Sequence, residues 1–260
     1  MRLHLINPSN PLVSTVRLEE NRWNHYRVWQ PLSLMVLAGL SPPEWDITIV
    51  DENVGVPDYP AMPRPDLVGI TAFTSQATRA YEVAAGFRRL GVPVVMGGIH
   101  ATMCVDEVTE RVDSVVTGEA DAVWPQVLKD AVHGRLKRRY DGGLAEMDAI
   151  RPARRDLLTA DYAFGSIQTT RGCPMNCTFC CVTAFNGARY RQRSIPEVVR
   201  EFQSIPEKRV LVVDDNLIGT THGHIARAKD LFRALAAANL GKEWIAQATI
   251  NFVDDEEPLA

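Results

Sequence analysis

The strongest constraint on this chain is how its apolar residues are grouped. Short β-branched runs recur along the first half: LHLI (3–6), ITIVDE (47–52), LVGIT (67–71), VPVVMGG (92–98) and SVVTGE (114–119). Each closes on Gly, Asp, Asn or another small or polar residue. Between the third and fourth, Ala80, Val83, Ala84, Phe87 and Leu90 repeat at helical spacing, with Arg79, Arg88 and Arg89 on the opposite side. A second helical segment is predicted over roughly 120–133. Strands alternating with helices build parallel βαβ units, so an α/β, doubly wound sheet of Rossmann or flavodoxin type is expected over 1–138. PDYPAMPRP (57–65) is too rich in proline for a helix and is read as a loop.

Residues 135–160 break this pattern, with the linker itself set at 139–160. RLKRRYDGG and RPARRD bring Arg135, Lys137, Arg138, Arg139, Arg151, Arg154 and Arg155 with no sustained apolar period, which reads as a solvated linker. Alternation resumes over 161–260: a strand at 165–170, a helix at 195–205, a buried strand at 209–215, a helix with an Ile225, Ala228, Leu231, Phe232 and Leu235 stripe, and a strand at 244–250. The acidic DDEEPLA reads as the first turn of a further helix.

Composition excludes several classes. A net charge of −4 speaks against a nucleic-acid surface, which would normally show a basic patch, and a phosphate-contacting strip is the alternative reading of the 135–160 basic residues. The longest apolar run, LMVLAGL, cannot span a bilayer, and MRLHLINPSNP has no signal-peptide core. Five cysteines, one isolated and four clustered, are not a disulfide framework and suit a reduced, cytoplasmic setting.

The cluster is TRGCPMNCTFCC (170–181), directly after a strand. Cys173, Cys177 and Cys180 are spaced C-x3-C-x2-C. Three thiolates can hold three irons of a 4Fe–4S cluster and leave the fourth open to a ligand. The alternatives are a zinc site, which needs a fourth ligand at suitable spacing, or ordinary core cysteines. Gly172 and Pro174 suit a loop that folds back on itself.

TTRGCPMNCTFCC followed by GARYRQRSIPEVVREF resembles the radical S-adenosylmethionine (SAM) superfamily. The resemblance implies that Cys173, Cys177 and Cys180 hold the 4Fe–4S cluster, that its open iron binds SAM, and that reduction cleaves SAM to a 5′-deoxyadenosyl radical. It implies Phe179 near the adenine, and SAM contacts from Asp214, Asp215 and Asn216, for which helix N-capping is the alternative role. It gives Cys181 no part. The fold implied is the first βα units of a β/α barrel, with the site at the strands' C-terminal ends. Such a barrel usually continues for several more units, so the chain reads as the N-terminal part of a longer protein.

VPVVMGGIHAT, SVVTGEAD with Trp124–Pro125, and NPSNP resemble the cobalamin-binding domain fused before many radical-SAM cores. The residues implied lie at C-terminal strand ends: Asn7; Thr74, Ser75 and Gln76; Gly97, Gly98 and His100; and Thr117, Gly118 and Glu119. A flavin-binding or response-regulator-like sheet is the alternative. The D-x-H-x-x-G motif that supplies a lower axial histidine is absent: none of His4, His25, His100, His133, His222 and His224 has Asp two positions before it. The corrinoid's lower face is then expected to be open, water-bound or covered by another side chain. Together these likenesses imply a radical C-methyltransferase acting on an unactivated carbon of a small-molecule or natural-product substrate, with an external electron donor such as flavodoxin or ferredoxin. A cyclase or oxidase of the same cofactors, or a binding module without activity, are the other readings.

Overall fold

The computed structural model describes residues 1–10 and 30–250. They form two compact units: Met1–Ala145 with Ile150–Asp161, and Glu146–Ala149 with the chain from Tyr162 onward. The DDEEPLA segment and His25 lie outside the described residues.

In the first unit β1 (Arg2–Asn7), β2 (Asp46–Asp51), β3 (Leu67–Thr71), β4 (Val94–Gly97), β5 (Ser114–Thr117) and β6 (Arg139–Asp141) form one sheet in the order β2-β1-β3-β4-β5-β6. Every neighbouring pair is parallel. The period of two along each strand divides the core. Leu3, Leu5, Leu67, Val95 and Val116 face α1 (Leu32–Leu40) and α5 (Trp124–Val132), where Leu34, Met35, Trp124 and Leu128 cover them. Ile6, Val68, Ile70, Val94, Met96 and Val115 face α2 (Ala77–Arg89), with α3 (Ile99–Met103) and α4 (Val105–Arg111) contributing Ala101 and Val108. A parallel sheet needs such cover on both faces. The predicted stripe of α2 is buried at Ala80, Val83, Ala84 and Phe87, while Leu90, one residue past the helix, is 58% exposed. Burying a side chain the size of Phe87 contributes about 1.5–3 kcal/mol.

His4 of β1 is 1% exposed and meets the Phe87 ring edge-on at 6.3 Å. Neither of its ring nitrogens has a hydrogen-bond partner among the described residues.

The stretch expected to be a solvated linker is built into this unit. Tyr140 of β6 is buried, and its hydroxyl donates to Asp130 Oδ2 at 2.9 Å. Ala153, Leu157 and Leu158 pack on the α1 side of the sheet, and Arg154 N donates to Met35 O. The basic side chains concealed this, because the apolar residues between them are too few to show a period. The 57–65 segment has a single 3-10 turn, Tyr59–Ala61, and no α-helix.

In the second unit β7 (Gly165–Ile167) is followed by β8 (Thr170–Arg171), α6 (Val182–Asn186), β9 (Arg191–Gln192), α7 (Ile195–Ser204), β10 (Arg209–Val212), α8 (His222–Ala238) and β11 (Glu243–Ala246). β7, β10 and β11 are parallel neighbours in that order, and β8 pairs antiparallel with β9. Ile167, Val210 and Val212 pack with Val198 and Phe202 of α7 and Leu231 of α8. α7 has proline in its first turn, where no amide partner is lost. Its Glu201 makes a buried ion pair with Arg193, Nη1 to Oε2 at 2.6 Å, both side chains below a tenth exposed. At the start of α8 Thr221 Oγ1 accepts from His224 N at 3.2 Å, and Asn239 ends the helix with φ +46. Among the described residues no helix is long and apolar enough to cross a membrane.

Candidate functional site

Each unit carries one candidate site, at the C-terminal ends of its parallel strands.

In the first unit the chain runs from β1 out to β2 and returns across β1 to β3, so connections reverse between β1 and β3. Doubly wound sheets bind ligands at that point. Asn7 and Gln76, predicted from separate loops, meet there: Gln76 Nε2 donates to Asn7 Oδ1 at 2.9 Å and to Pro8 O. Asn7 Nδ2 donates to Asp51 Oδ1 at 3.0 Å, and Gln76 Oε1 accepts from Phe73 N. Ser75 is half-buried and Thr74 exposed on the same turn. Gly98 has φ +90, and a Cβ there would lie 2.7 Å from Thr71 Oγ1 and 3.2 Å from Ala72 N. Only glycine lets the β3 and β4 loops approach so closely. Gly97 is different: a Cβ there would make ordinary contact, 3.7 Å from Val116.

After β5, Thr117 and Glu119 are buried and Gly118 has φ +68. Gly118 N donates to Thr102 Oγ1, Glu119 N to Gly143 O, and Ala145 N to Glu119 Oε2 at 2.9 Å. A Cβ on Gly142 would sit 1.8 Å from Glu119 O. The adjacent glycines of the basic stretch therefore exist to let this segment close on the TGE loop; their adjacency was the one sign available in the sequence. Glu52, just after β2, was also not singled out. It is 1% exposed, takes both Arg79 Nη2 (2.7 Å) and Nε (2.9 Å), and accepts from Tyr59 OH and Ser9 N at 3.0 Å. It holds Ser9, after β1, against the sheet end. Burial, and then the Glu52 carboxylate, raise the Tyr59 hydroxyl pKa well above its usual range.

The His100 ring is 2% exposed and turned to neighbours on the helices and the β3 loop. Its Nε2 lies 2.7 Å from Tyr81 OH, and its Nδ1 lies 3.3 Å from Thr74 Oγ1. His100 thus keeps its predicted place at the end of β4, with its imidazole already engaged.

In the second unit the β8–β9 pair closes the neck of the cysteine loop. Gly172 has φ +86, and a Cβ would meet Arg189 O at 2.3 Å, Gly187 O at 3.0 Å and Asn186 O at 3.1 Å. Cys173 N donates to Gly187 O and Cys180 N to Cys177 O. Asn176 takes φ +47 between the first two cysteines, a left-handed turn that Asn tolerates. Cys173, Cys177 and Cys180 are free thiols of intermediate exposure, and Cys181 is exposed. Among the described residues they do not form a group with ligand atoms within 4.8 Å of one another. A mononuclear zinc site with bonds of about 2.3 Å would require one. Three thiols held wider apart on one loop fit a polynuclear cluster.

The strand-end residues divide by role. Asp214 is fully buried and accepts from Thr169 N at 2.6 Å and Thr169 Oγ1 at 2.5 Å, tying β10 to the segment before β8. Burial pushes its carboxyl up, against the pull of those bonds. Asp215 Oδ2 accepts from Asn186 Nδ2 at 2.8 Å. Asn216 Oδ1 accepts from Ile218 N and Gly219 N, while its buried Nδ2 has no partner among the described residues. Phe179 is 91% exposed.

The fold and its strand-end loops thus define an α/β protein in which a doubly wound parallel sheet is followed by a thiol-loop unit. Residues 25–128 match the B12 binding domain. The chain is 39% identical over 174 residues to bacteriochlorophyllide d C-8(2)-methyltransferase of Chlorobaculum tepidum, covering 62% of this chain and 37% of that protein. It is 29% identical over 251 residues to bacteriochlorophyllide d C-12(1)-methyltransferase of the same organism, covering 88% and 52%. The structure of the radical S-adenosylmethionine methyltransferase TsrM from Kitasatospora setae superposes with a TM-score of 0.63 at 22% identity, over 89% of this chain and 50% of that one. The chain is thus similar to a B12 binding domain over residues 25–128 and, in part, to proteins named as methyltransferases. It spans about half the length, or less, of these relatives.

Proposed function

We propose that the chain serves a cobalamin-dependent radical SAM methyltransferase, and that β7, β10 and β11 are the opening strands of its β/α barrel. The observation that carries this is the C-x3-C-x2-C loop, its neck closed by β8–β9 at the end of a parallel strand, in a chain that also bears a B12 binding domain. Cys173, Cys177 and Cys180 would hold a 4Fe–4S cluster, and Phe179 would stack on the adenine of SAM. Asn216, with its unpartnered buried amide, and Asp215 would meet SAM's polar groups, while Asp214 positions the strand end. Asn7, Thr74, Ser75, Gln76, Gly97, Gly98, Thr117, Gly118 and Glu119 would line the corrinoid site, largely through backbone and fixed amides. When bound, the cluster supplies the electron that cleaves SAM and the corrinoid carries the methyl group. The substrate is a small molecule with an unactivated carbon, the electrons come from a donor such as flavodoxin or ferredoxin, and the setting is the reducing cytoplasm.

The test is anaerobic reconstitution of the chain. About four iron and four sulfide per chain are expected, together with corrinoid absorption. Replacing Cys173, Cys177 and Cys180 by Ala should remove the iron and leave the corrinoid. Stoichiometric zinc without labile sulfide, or flavin bound in place of corrinoid, would refute the reading.

A further inference from the structure

His100 lies on α3, Glu107 on α4, and Cys104 at the break between the two helices, where it takes φ −122 and ψ 44. One ligand atom from each lies within 4.8 Å of the others, a grouping that the cluster cysteines do not make. Tyr81 of α2 stands against the same group. Its hydroxyl is 2.7 Å from His100 Nε2 and donates to Glu107 Oε1 at 2.9 Å. Thr74 Oγ1 lies 3.3 Å from His100 Nδ1. Nε2 is the ring nitrogen beside the Tyr81 hydroxyl and Nδ1 the one beside Thr74, so an ion at Nε2 would leave Nδ1–H to donate to Thr74 Oγ1, as an outer partner of a metal-binding histidine does.

We propose that His100 Nε2, Cys104 Sγ and the Glu107 carboxylate bind a single zinc-like divalent cation, with water as the fourth ligand. The donor set selects the ion's class. A thiolate and an imidazole favour zinc or cobalt, whereas magnesium and calcium take oxygen ligands. A thiolate and a carboxylate also neutralise a doubly charged ion, so the site carries no net charge when filled. Bonds of about 2.0–2.3 Å bring tetrahedral ligand atoms to roughly 3.3–3.8 Å apart. The exposed Glu107 side chain can make that contraction, and Cys104 is only half-buried, which leaves the ion an approach. On binding, Cys104 loses its thiol proton to solvent. Tyr81 keeps its bond to Glu107 and gives up His100. The inference rests on neither the corrinoid nor the cluster, and it removes the His100 imidazole from the corrinoid contacts.

The test uses the full chain with Cys173, Cys177, Cys180 and Cys181 all changed to Ala, leaving Cys104 as the one thiol of the five. Anaerobic titration with Co2+ should show one equivalent bound, a thiolate-to-cobalt charge-transfer band and tetrahedral d–d absorption, and full displacement by Zn2+. Adding Glu107→Gln should weaken Co2+ binding at least about tenfold, since even outer-shell losses cost 10–100-fold. Adding His100→Ala should abolish tetrahedral absorption. A second measurement keeps all the loop cysteines. The reconstituted wild-type chain should hold one zinc beyond its iron, and Cys104→Ala should hold none with its iron unchanged. Absence of the thiolate band, or equal zinc in wild type and Cys104→Ala, would overturn the site. The iron count reports separately on the cluster.

Discussion

At the scale of single residues, two positions carry sharp expectations. Gly172 sits with φ +86 against three carbonyl oxygens, so Gly172→Ala adds both backbone strain and a 2.3 Å approach to Arg189 O. A non-glycine residue in that region costs about 1–3 kcal/mol before any clash. Reconstituted Gly172→Ala should hold much less iron than wild type, measured as iron per chain. Gly97→Ala, which meets only ordinary contacts, should hold the same amount. His4 yields a pH dependence. Burial holds its pKa below the ordinary 6.5, so the folded state favours the neutral ring. Its contribution to stability is complete above about pH 6.5 and is lost as pH falls below that toward the folded pKa. Urea midpoints at pH 7.5 and 5.5 should fall more steeply for wild type than for His4→Phe, which has nothing to protonate at that position.

At the scale of elements, the buried Arg193–Glu201 pair anchors α7 to the segment before it. Removing one partner strands a charge, so Glu201→Gln should cost about 3–5 kcal/mol in urea unfolding. The double change Arg193→Met with Glu201→Leu should recover most of that loss; if it is as unstable as Glu201→Gln, the pair itself is stabilising. The elements also show what the sequence made legible. α2, α7 and α8 were readable because each buries one stripe, and the strands were readable as β-branched runs. α1 was not: its Leu32–Leu40 run is apolar all round, so it has no period, and it registered only as too short to cross a membrane. β6 was hidden because its one buried residue, Tyr140, lies between Arg139 and Asp141. The cysteine spacing singled out the loop whose neck β8 and β9 close. Glu52 and Gly142 left little sign, because their roles depend on which distant backbone comes near them.

At the scale of the whole chain, the first unit extends past the sheet. The TGE loop is closed by Gly142–Ala145, and Ala153, Leu157 and Leu158 pack beneath the sheet. A fragment ending at residue 140 should therefore be less stable than one ending at 161, by a lower urea midpoint, and should bind hydroxocobalamin more weakly. Equal midpoints would mean that the 141–161 segment is ornamental to this unit.

The neck of the cysteine loop has one more implication. It is fastened by β8 against β9 and by the Asn186–Gly187 carbonyls around Gly172, none of which involves a thiol. Oxygen damage to an iron centre held there should then be a local and repairable injury. An air-exposed, iron-depleted sample should keep its far-ultraviolet circular dichroism. It should also recover its iron on reduction and resupply with iron and sulfide, without a refolding step.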